Sequence, residues 1–297
     1  MRMTRLSLAT IFLLASISSA LSWGEDGHSI VAEIAQRRLT KEAAEAITRI
    51  LDPQQDRPPY SLPSLASFSA WADDVRYPGT AHPESYNWHF ADIPLGPPGT
   101  DFTYDPARDC KSDARGDCVI AELARLQNEL RCATGAQQQE ALKFAVHFVG
   151  DIHQPFHTVL EAQGENLASV HVLFGGKICD KVTCLIREEW QVLHYVWDVT
   201  IIAKTFYSWG SYVDDLETHW LTTPDARNDA KDDPVDWAND AHVIAKKFVV
   251  NDGASLFNNY YNDAHKVVDQ QLGLAGLRLA RYLNKTFSSK QCPVPVP

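Results

Sequence analysis

The stretch HFVGDIHQPFH, residues 147–157, is the part of the sequence that best indicates the fold and chemistry of this chain. His147 and Asp151 are four residues apart, so on a helix their side chains share one face. Pro155 is expected to end or kink that helix, and His157 follows it. The end of one helix therefore offers two imidazoles and a carboxylate.

A second segment, LHYVWD at residues 193–198, repeats the spacing with His194 and Asp198. A single His-xxx-Asp pair is more often a surface hydrogen bond or a weak ion pair. Two such pairs, with His157 beside the first, favour a metal site, because two helices can bring nitrogen and oxygen ligands together. Zinc is the expected metal, since imidazole and carboxylate both suit it.

The rest of the sequence predicts mainly helices. A Pro- and Gly-rich loop is predicted at 92–108 and a short β-like patch at 169–174. Apolar residues recur at helical spacing in seven stretches, 27–51, 64–75, 117–132, 136–153, 188–205, 235–248 and 262–287. The sequence therefore predicts one all-α domain.

The amino-acid composition excludes some classes of function for this chain. The chain has 297 residues, 45% of them apolar, and 27 Lys and Arg against 38 Asp and Glu. The apolar fraction excludes a disordered chain, and the net charge of −11 argues against a broad basic surface for nucleic acid. An enzyme with a locally positive site remains compatible, because bound metal can supply the charge.

Residues 1–22, MRMTRLSLATIFLLASISSALS, read as a cleaved secretory signal peptide, with an uncleaved anchor as the alternative. Cleavage after Ala20 and cleavage after Ser22 both fit, and the second leaves Trp23 first. The remaining domain, 23–297, is expected to be secreted or periplasmic. It has no apolar run long enough for a membrane span, so no stable membrane association is expected.

Six cysteines in an exported chain favour disulfides. Loop lengths suggest two local pairs, which would leave the last two cysteines to fasten the C-terminal tail: Cys110 with Cys118, Cys179 with Cys184, and Cys132 with Cys292. Sequence alone does not choose among the possible pairings.

Further candidate ligands precede the His-xxx-Asp pairs. The segment SAWADDVR contains Asp73 and Arg76, and NWHFADIP contains His89. The segment WGEDGH begins at Trp23 and ends at His28. If cleavage falls after Ser22, the new terminal amine could bind metal together with its own carbonyl.

Taken in order, the motifs WGxxGH, WADxxR, HFxDxP, HFxGDxHQPxH, LHxxWD and QLxxAGxRLAxxLN resemble the S1/P1 nuclease family of the phospholipase C/P1 nuclease superfamily. The resemblance implies a single mainly helical domain with a buried cleft for three zinc ions. It implies an endonuclease that cuts single-stranded DNA and RNA to 5′-phosphorylated products and also acts as a 3′-nucleotidase.

The resemblance also assigns ligands to each zinc ion. The assignment is Asp73, His89, His147 and Asp151 for the first, the Trp23 terminus, His28 and a bridging Asp151 for the second, and His157, His194 and Asp198 for the third. Three zinc ions against three carboxylates leave the site net positive inside an acidic protein.

The implied mechanism is metal-assisted hydrolysis by a water whose pKa two neighbouring zinc ions lower. Asp73 would also orient that water. Arg76 matches the family's cation that stabilises charge in the transition state, with a surface helix cation as the alternative interpretation.

Base recognition is expected to be sparse. By resemblance, Phe90 stacks on a base and Asp92 hydrogen-bonds its edge, which requires an unpaired strand. Gly164 and Asn166 match residues that line the same base pocket. Glu165 stands where the family has a second glycine, and it could disturb the turn or add a repelling carboxylate.

Two features depart from the family pattern or add to it. Residues 175–191, GGKICDKVTCLIREEWQ, are an insertion that could border the cleft and alter substrate choice. Asn284-Lys-Thr286 is an N-glycosylation sequon, which matters only in a eukaryotic secretory route.

Two rival functions are compatible with parts of this pattern. A zinc-dependent phospholipase C would carry His-xxx-Glu where this chain has His194 and Asp198, and would lack the pocket suggested by Phe90 and Asp92. A non-catalytic secreted zinc- or nucleotide-binding protein would have lost a ligand or Arg76, and neither is lost. The expected protein is a monomer whose substrates are single-stranded nucleic acids and 3′-nucleotides.

Overall fold

A computed structural model describes residues 23–58, 61, 63–110, 117–174, 177–179, 184–186, 188–288 and 292, with only the backbone described at 177–179 and 184–186. The signal peptide predicted at 1–22 lies outside the described residues. The side chains of Cys179 and Cys184, and with them the predicted disulfide, also lie outside.

The described residues form a mainly helical domain, as predicted. The helical elements are α1 (Glu25–Gln36), α2 (Lys41–Leu51), α3 (Trp71–Val75), α4 (Pro106–Asp109), α5 (Val119–Cys132), α6 (Gly135–Asp151), α7 (Ala162–Glu165), α8 (Leu193–Tyr195), α9 (Ile201–Thr205), α10 (Trp209–Thr218), α11 (Pro224–Asn228), α12 (Pro234–Phe248) and α13 (Asn258–Ser288). Of these, α7 is a single turn with left-handed backbone. Shorter 3₁₀ turns lie at Leu65–Phe68, Pro83–His89, Pro155–Thr158 and Trp220–Thr222, and a π-helical turn lies at Val196–Thr200.

Three predicted helices differ from the observed elements. The stretch 27–51 divides into α1 and α2, because Thr40 caps α2 by accepting a hydrogen bond from the Ala43 N–H. The stretch 64–75 forms a 3₁₀ turn followed by α3. The stretch 188–205 begins as a strand, because pairing with a neighbouring strand outweighs its apolar spacing.

A small sheet lies beside the helices. Its strands are β1 (Ser169–Val172), β4 (Glu189–Val192) and β5 (Ser255–Leu256), while β2 (Lys177–Cys179) and β3 (Cys184–Ile186) form a separate hairpin. The central strand β1 pairs antiparallel with β4 and parallel with β5. In this register His171 lies opposite Trp190, and Ser169 lies opposite Val192.

Helix α13 forms the long axis of the core. Its 31 residues span about 46 Å at 1.5 Å per residue, and it packs on α1, α2, α5 and α6. Gly276 allows α13 to approach α1, because a Cβ there would lie 2.4 Å from Ile34 Cγ2. No helix in the described ranges combines the length and the apolar character needed to cross a bilayer.

The cysteines are paired only in part as predicted. Cys110 and Cys118 form a disulfide just before α5. Cys132 and Cys292 are not bonded to each other, although Cys292 Sγ lies 3.5 Å from the carbonyl oxygen of Arg131. The tail residue therefore lies beside the end of α5 without a covalent link to it.

Asn284, the first residue of the sequon, lies inside α13 and uses both ends of its amide. Its Oδ1 accepts a hydrogen bond from the Thr40 N–H at 2.8 Å, and its Nδ2 donates to Arg38 O at 3.0 Å. The side chain thus ties α13 to the turn between α1 and α2. A glycan on this nitrogen would disrupt the link.

Candidate metal centre

The last turn of α6 places His147 and Asp151 side by side, as their spacing predicts. Both are fully buried, and His147 Nε2 lies 3.2 Å from Asp151 Oδ2. The helix ends at Asp151, and Pro155 begins the 3₁₀ turn that carries His157. This turn directs the chain back towards the same buried region.

The first of three candidate metal-binding groups consists of Asp73, His89 and His147, whose ligand atoms lie within 4.8 Å of one another. Asp73 comes from α3, and its Oδ1 lies 3.6 Å from His147 Nε2 and 3.7 Å from His89 Nδ1. His89, at the end of a 3₁₀ turn, also approaches Asp151 Oδ2 at 2.8 Å.

The second group consists of His28, His147 and Asp151. His28 Nε2 lies 3.4 Å from Asp151 Oδ1, and the His28 ring stacks on His147 at 3.8 Å between centroids. Gly150 makes room for this stack, because a Cβ there would lie 2.7 Å from His28 Nδ1. Trp23, five residues before His28, is fully buried, and the next residue donates its N–H to the carbonyl oxygen of Asp198 at 2.9 Å.

The third group consists of His157, His194 and Asp198. His194 Nε2 lies 3.4 Å from Asp198 Oδ2, and the His157 and His194 rings lie 4.9 Å apart. Helix α8 supplies His194 and the π-helical turn after it supplies Asp198, so their four-residue spacing still places them together. Gln154 Nε2 donates to Asp198 Oδ1 at 2.7 Å.

Backbone carbonyls fix the orientation of three imidazoles. His147 Nδ1 lies 2.7 Å from Ser69 O, and His157 Nδ1 lies 2.9 Å from His89 O. His194 Nδ1 contacts the carbonyl of Gly164. A proton on each Nδ1 makes these contacts hydrogen bonds and leaves each Nε2 as the nitrogen able to bind a cation.

The donor set fits a divalent metal ion. Within the described part of the chain, the buried atoms of the ligand residues that form no hydrogen bond include Asp73 Oδ1, His89 Nε2, Asp151 Oδ1, His157 Nε2 and Asp198 Oδ2. A buried polar atom left in this way costs about 1–3 kcal/mol. Imidazole nitrogens and carboxylate oxygens that converge in a buried site suit a first-row divalent ion.

Burial sets the charge states of these residues. It lowers the pKa of His28, His89 and His157, and lowers that of His194 to about 4, so these rings are neutral. For His147, burial is outweighed by the carboxylates of Asp151 and Asp73, and its pKa rises to about 10.

Burial also shifts the pKa values of the carboxyl groups. Burial raises the pKa of Asp198, and raises that of Asp151 to about 6. Burial opposes ionisation of Asp73 too, but Arg76 and His147 outweigh it and lower its pKa. A cation held among these carboxyl groups would favour the ionised state of each.

Arg76 is brought to the edge of the first group. It is buried, and its Nη2 lies 3.3 Å from Asp73 Oδ1 and 3.4 Å from Tyr77 Oη. Its guanidinium carbon lies 5.7 Å from the centres of the Tyr86 and Phe90 rings. The side chain is therefore not a surface helix cation.

The predicted base pocket is only partly assembled around the third group. The Phe90 ring lies 4.8 Å from His157 and 6.5 Å from His194. Asn166 Nδ2 lies 3.3 Å from His194 Nδ1, beside the Gly164 carbonyl. Asp92 is exposed two residues after Phe90.

A sequence profile of the S1/P1 nuclease family matches residues 23–288. The chain belongs to the S1/P1 nuclease family. Nuclease S1 of Aspergillus oryzae is 30% identical over 317 residues, covering 95% of this chain and 97% of that protein. Endonuclease 2 of Arabidopsis thaliana is 28% identical over 321 residues, with coverages of 94% and 96%, and nuclease P1 of Penicillium citrinum is 29% identical over 291, with coverages of 90% and 99%.

Membership of the S1/P1 nuclease family confirms three predictions from the sequence: the family itself, the mainly helical single domain, and a hydrolytic nuclease as the enzyme class. The predicted metal dependence agrees with the three groups of buried ligand residues.

Some residues that shape the centre of this S1/P1 nuclease were not singled out from the sequence. Gln154 spans the 3₁₀ turn by accepting from the Phe156 N–H and donating to Asp198. Its place between two candidate ligands, Asp151 and His157, was the available signal. The carbonyl of Ser69 carries no such signal, because every residue has one.

The turn around Glu165 has an unusual backbone. Four successive residues have positive φ, namely Ala162 (47°), Gln163 (54°), Gly164 (64°) and Glu165 (63°). Left-handed backbone is costly for residues other than glycine. Glu165 is also buried, and burial together with Glu161 raises its pKa to about 7.

Proposed function

We propose that this chain binds three zinc ions and hydrolyses phosphodiester bonds in single-stranded DNA and RNA to give 5′-phosphorylated products. We further propose that it removes phosphate from 3′-nucleotides. The single observation that carries the proposal is the set of three buried ligand groups that share His147 and Asp151 or lie beside them. Relatives named as nucleases and endonucleases, similar over nearly the whole chain, support it.

The proposed ligands are the Trp23 terminus, His28, Asp73, His89, His147, Asp151, His157, His194 and Asp198. Bound zinc supplies a Lewis acid that polarises the phosphate and lowers the pKa of water. The five imidazoles suit zinc better than magnesium, which prefers oxygen ligands.

Two residues of the chain act on the reacting phosphate. Asp73, ionised beside Arg76, orients the attacking water by accepting its hydrogen bond. Arg76 donates N–H groups to the non-bridging phosphate oxygens, where negative charge grows in the transition state. Burial of the guanidinium strengthens this interaction, because water does not screen it.

The base pocket holds one nucleotide. Phe90 stacks on the base, Asp92 accepts a hydrogen bond from its edge, and Gly164 and Asn166 line the opposite side. Stacking tolerates any base but needs an unpaired one, which accounts for a single-strand preference with little sequence choice.

The mature chain is proposed to start at Trp23 after export, and to act as a secreted or periplasmic monomer. Trp23 is buried, and its neighbour contacts Asp198, so the position suits a terminus that joins the centre. N-terminal sequencing beside a metal count tests this. Full zinc occupancy in a protein that begins at Leu21 would refute it.

The deciding experiment measures acid-soluble nucleotides released from single-stranded DNA and RNA by the purified chain. We expect cleavage that a chelator removes and added zinc restores. A parallel assay with 3′-adenylate measures released phosphate. Arg37→Met, on the exposed end of α1, serves as a control variant with full activity.

Absence of cleavage by a zinc-loaded protein that begins at Trp23 would overturn the proposal. Hydrolysis of phosphatidylcholine under the same conditions would instead favour the phospholipase C function. Zinc binding without either activity would favour a binding protein.

A further inference from the structure

One buried histidine of the stretch 147–157 is not among the candidate ligands. His153 comes two residues after the end of α6, is fully buried, and uses both of its ring nitrogens in contacts with other protein groups. Its Nδ1 lies 2.7 Å from Val149 O, and its Nε2 lies 3.0 Å from Arg278 Nη1. The ring therefore joins the end of α6 to the long helix α13.

The contact with Arg278 decides where the His153 ring carries its proton. A guanidinium group has donors and no acceptor, so Arg278 Nη1 can bind the ring only through a lone pair on Nε2. The neutral ring then carries its proton on Nδ1 and donates it to Val149 O. Arg278 thereby selects the tautomer of His153 that can donate to the main chain of α6.

The donated hydrogen bond closes the last turn of α6. The carbonyl groups at the end of a helix lack the N–H partners that a further turn would supply. The backbone N–H of His153, four residues after Val149, donates to Gly150 O at 3.0 Å, and the His153 side chain supplies the donor for Val149 O. His153 is thus a side-chain cap of α6. The capped turn contains Asp151, the carboxylate that the first two proposed zinc ions share.

Arg278 is itself held firmly. It is buried, and its Nε and Nη2 donate to the two carboxylate oxygens of Asp229 at 3.2 and 2.9 Å. Its guanidinium carbon lies 5.8 Å from the centre of the Trp237 ring, which lies 5.4 Å from the His153 ring. A bidentate pair fixes the plane of a guanidinium, so the donor that faces His153 has a fixed direction.

We propose that Arg278 and His153 are positioning residues for Asp151. The proposal rests on the zinc centre of the proposed function. Arg278 fixes the tautomer of His153, His153 caps the last turn of α6, and the capped turn holds the Asp151 carboxylate where two ions can share it. Neither residue binds metal or substrate. The third proposed ion does not use Asp151, so it depends less on the pair than the other two.

The test compares Arg278→Met with Arg281→Met, a matched control from the same helix. Both substitutions remove a guanidinium that binds Asp229, and each leaves Asp229 the other arginine, but of the two only Arg278 donates to His153. Competition with a chromophoric chelator measures how tightly each purified protein holds its zinc. Activity on single-stranded DNA is measured in parallel with excess zinc.

The expected result is selective for the two ions that share Asp151. Loss of a group that orients a metal ligand typically weakens metal binding about 10- to 100-fold. Arg278→Met should therefore release two of the three zinc equivalents at about 10- to 100-fold less chelator than the native chain needs, and the third should stay bound. Arg281→Met should keep all three, because it leaves the contact between Arg278 and His153 in place.

Two substitutions of His153 test the cap directly and decide the question if Arg278→Met does not fold. His153→Asn places an amide nitrogen where Nδ1 stood and can still donate to Val149 O. His153→Gln places its amide near the former Nε2, beside Arg278, and loses the cap. His153→Asn should therefore keep zinc affinity close to that of the native chain, whereas His153→Gln should lose it to the same extent as Arg278→Met.

The outcomes separate this proposal from the proposed function. Unchanged zinc affinity in Arg278→Met would overturn the positioning role and leave the nuclease function intact. Equal weakening by Arg278→Met and Arg281→Met, or by the two His153 variants, would assign the effect to general stability and would also overturn the role. A native chain that binds no zinc would overturn the proposed function itself. Thermal unfolding in chelator shows which variants are folded without metal.

Discussion

Asp151 is the residue at which the three ligand groups meet. Its Oδ2 lies 2.8 Å from His89 and 3.2 Å from His147, and its Oδ1 lies 3.4 Å from His28 and 3.8 Å from His157. A carboxylate has two oxygens with several lone pairs, so one residue can serve two ions. The proposed zinc ions would account for the histidines that surround this one buried acid.

At the residue scale, Arg76 gives the sharpest activity prediction. Arg76→Lys keeps a charge but loses the planar donor fork, so we expect kcat on single-stranded DNA to fall about 100- to 1,000-fold. Zinc content, measured by atomic emission after dialysis, should stay within error of the native chain. Loss of zinc together with activity would show that Arg76 instead maintains the ligand geometry.

Two substitutions at Glu165 separate the effect of its backbone conformation on stability from the effect of its carboxyl group. Its φ of +63° strains the backbone, so Glu165→Gly should stabilise the fold by about 1 kcal/mol. Glu165→Gln keeps that strain but removes the carboxyl group.

The sign of the pH effect at Glu165 follows from its raised pKa, which is about 7 instead of 4.5. The folded state binds more protons than the unfolded state between these values, so stability falls as pH rises through this window. Urea unfolding at pH 4.5 and pH 8 should show that Glu165→Gln gains stability over the native chain only at pH 8. An equal gain at both pH values would contradict a raised pKa.

The sequence predicts the ligand residues better than what holds them. His and Asp at four-residue spacing are visible because helix geometry converts spacing into proximity, and this survives even where Asp198 lies in a π-helical turn. The carbonyl of Ser69 and the left-handed turn at 162–165 are not visible. The first has no side-chain signal, and in the second only Gly164 favours positive φ.

At the element scale, the contact between α13 and α1 depends on small residues. Gly276→Ala would place a Cβ 2.4 Å from Ile34 Cγ2, so overpacking should outweigh the better helix propensity of alanine and cost about 1–3 kcal/mol. Gly210→Ala in α10 is the matched control, because no atom lies within 4 Å of its added Cβ. That variant should gain up to about 1 kcal/mol in chemical unfolding. Equal effects of the two substitutions would argue against tight packing at Gly276.

Element boundaries show where sequence patterns stop being sufficient. The long helix predicted at 262–287 is observed as Asn258–Ser288, because its apolar stripe continues over many turns. The apolar spacing predicts a helix where the strand Glu189–Val192 is observed. Local spacing cannot show this strand, because its pairing partner β1 lies elsewhere in the chain. The two-residue strand β5 was missed for the same reason.

At the scale of the whole molecule, metal binding should govern stability. The buried atoms of the ligand residues that form no hydrogen bond in the described part of the chain would gain a partner if zinc binds as proposed, and the unfolded chain does not preserve the site. Zinc at 100 times Kd should add about 2.7 kcal/mol for a single site, and a chelator should remove it.

Differential scanning calorimetry with and without chelator measures the contribution of metal to stability. Magnesium added to the chelated and desalted protein is the control and should not restore the unfolding temperature, because the centre is rich in imidazole. An unfolding temperature that is insensitive to chelation would show that the fold does not depend on its ligand groups.

The burial of Trp23 has a consequence for the cell that makes this protein. If the Trp23 amine is a zinc ligand, a chain that still carries residues 1–22 has an amide where the ligand should be, and it cannot complete the centre. The nuclease would then be inactive in the cytoplasm, where the cell's own RNA lies, and would become active only after the signal peptide is removed. The same dependence would make any affinity tag fused ahead of residue 23 an inhibitor.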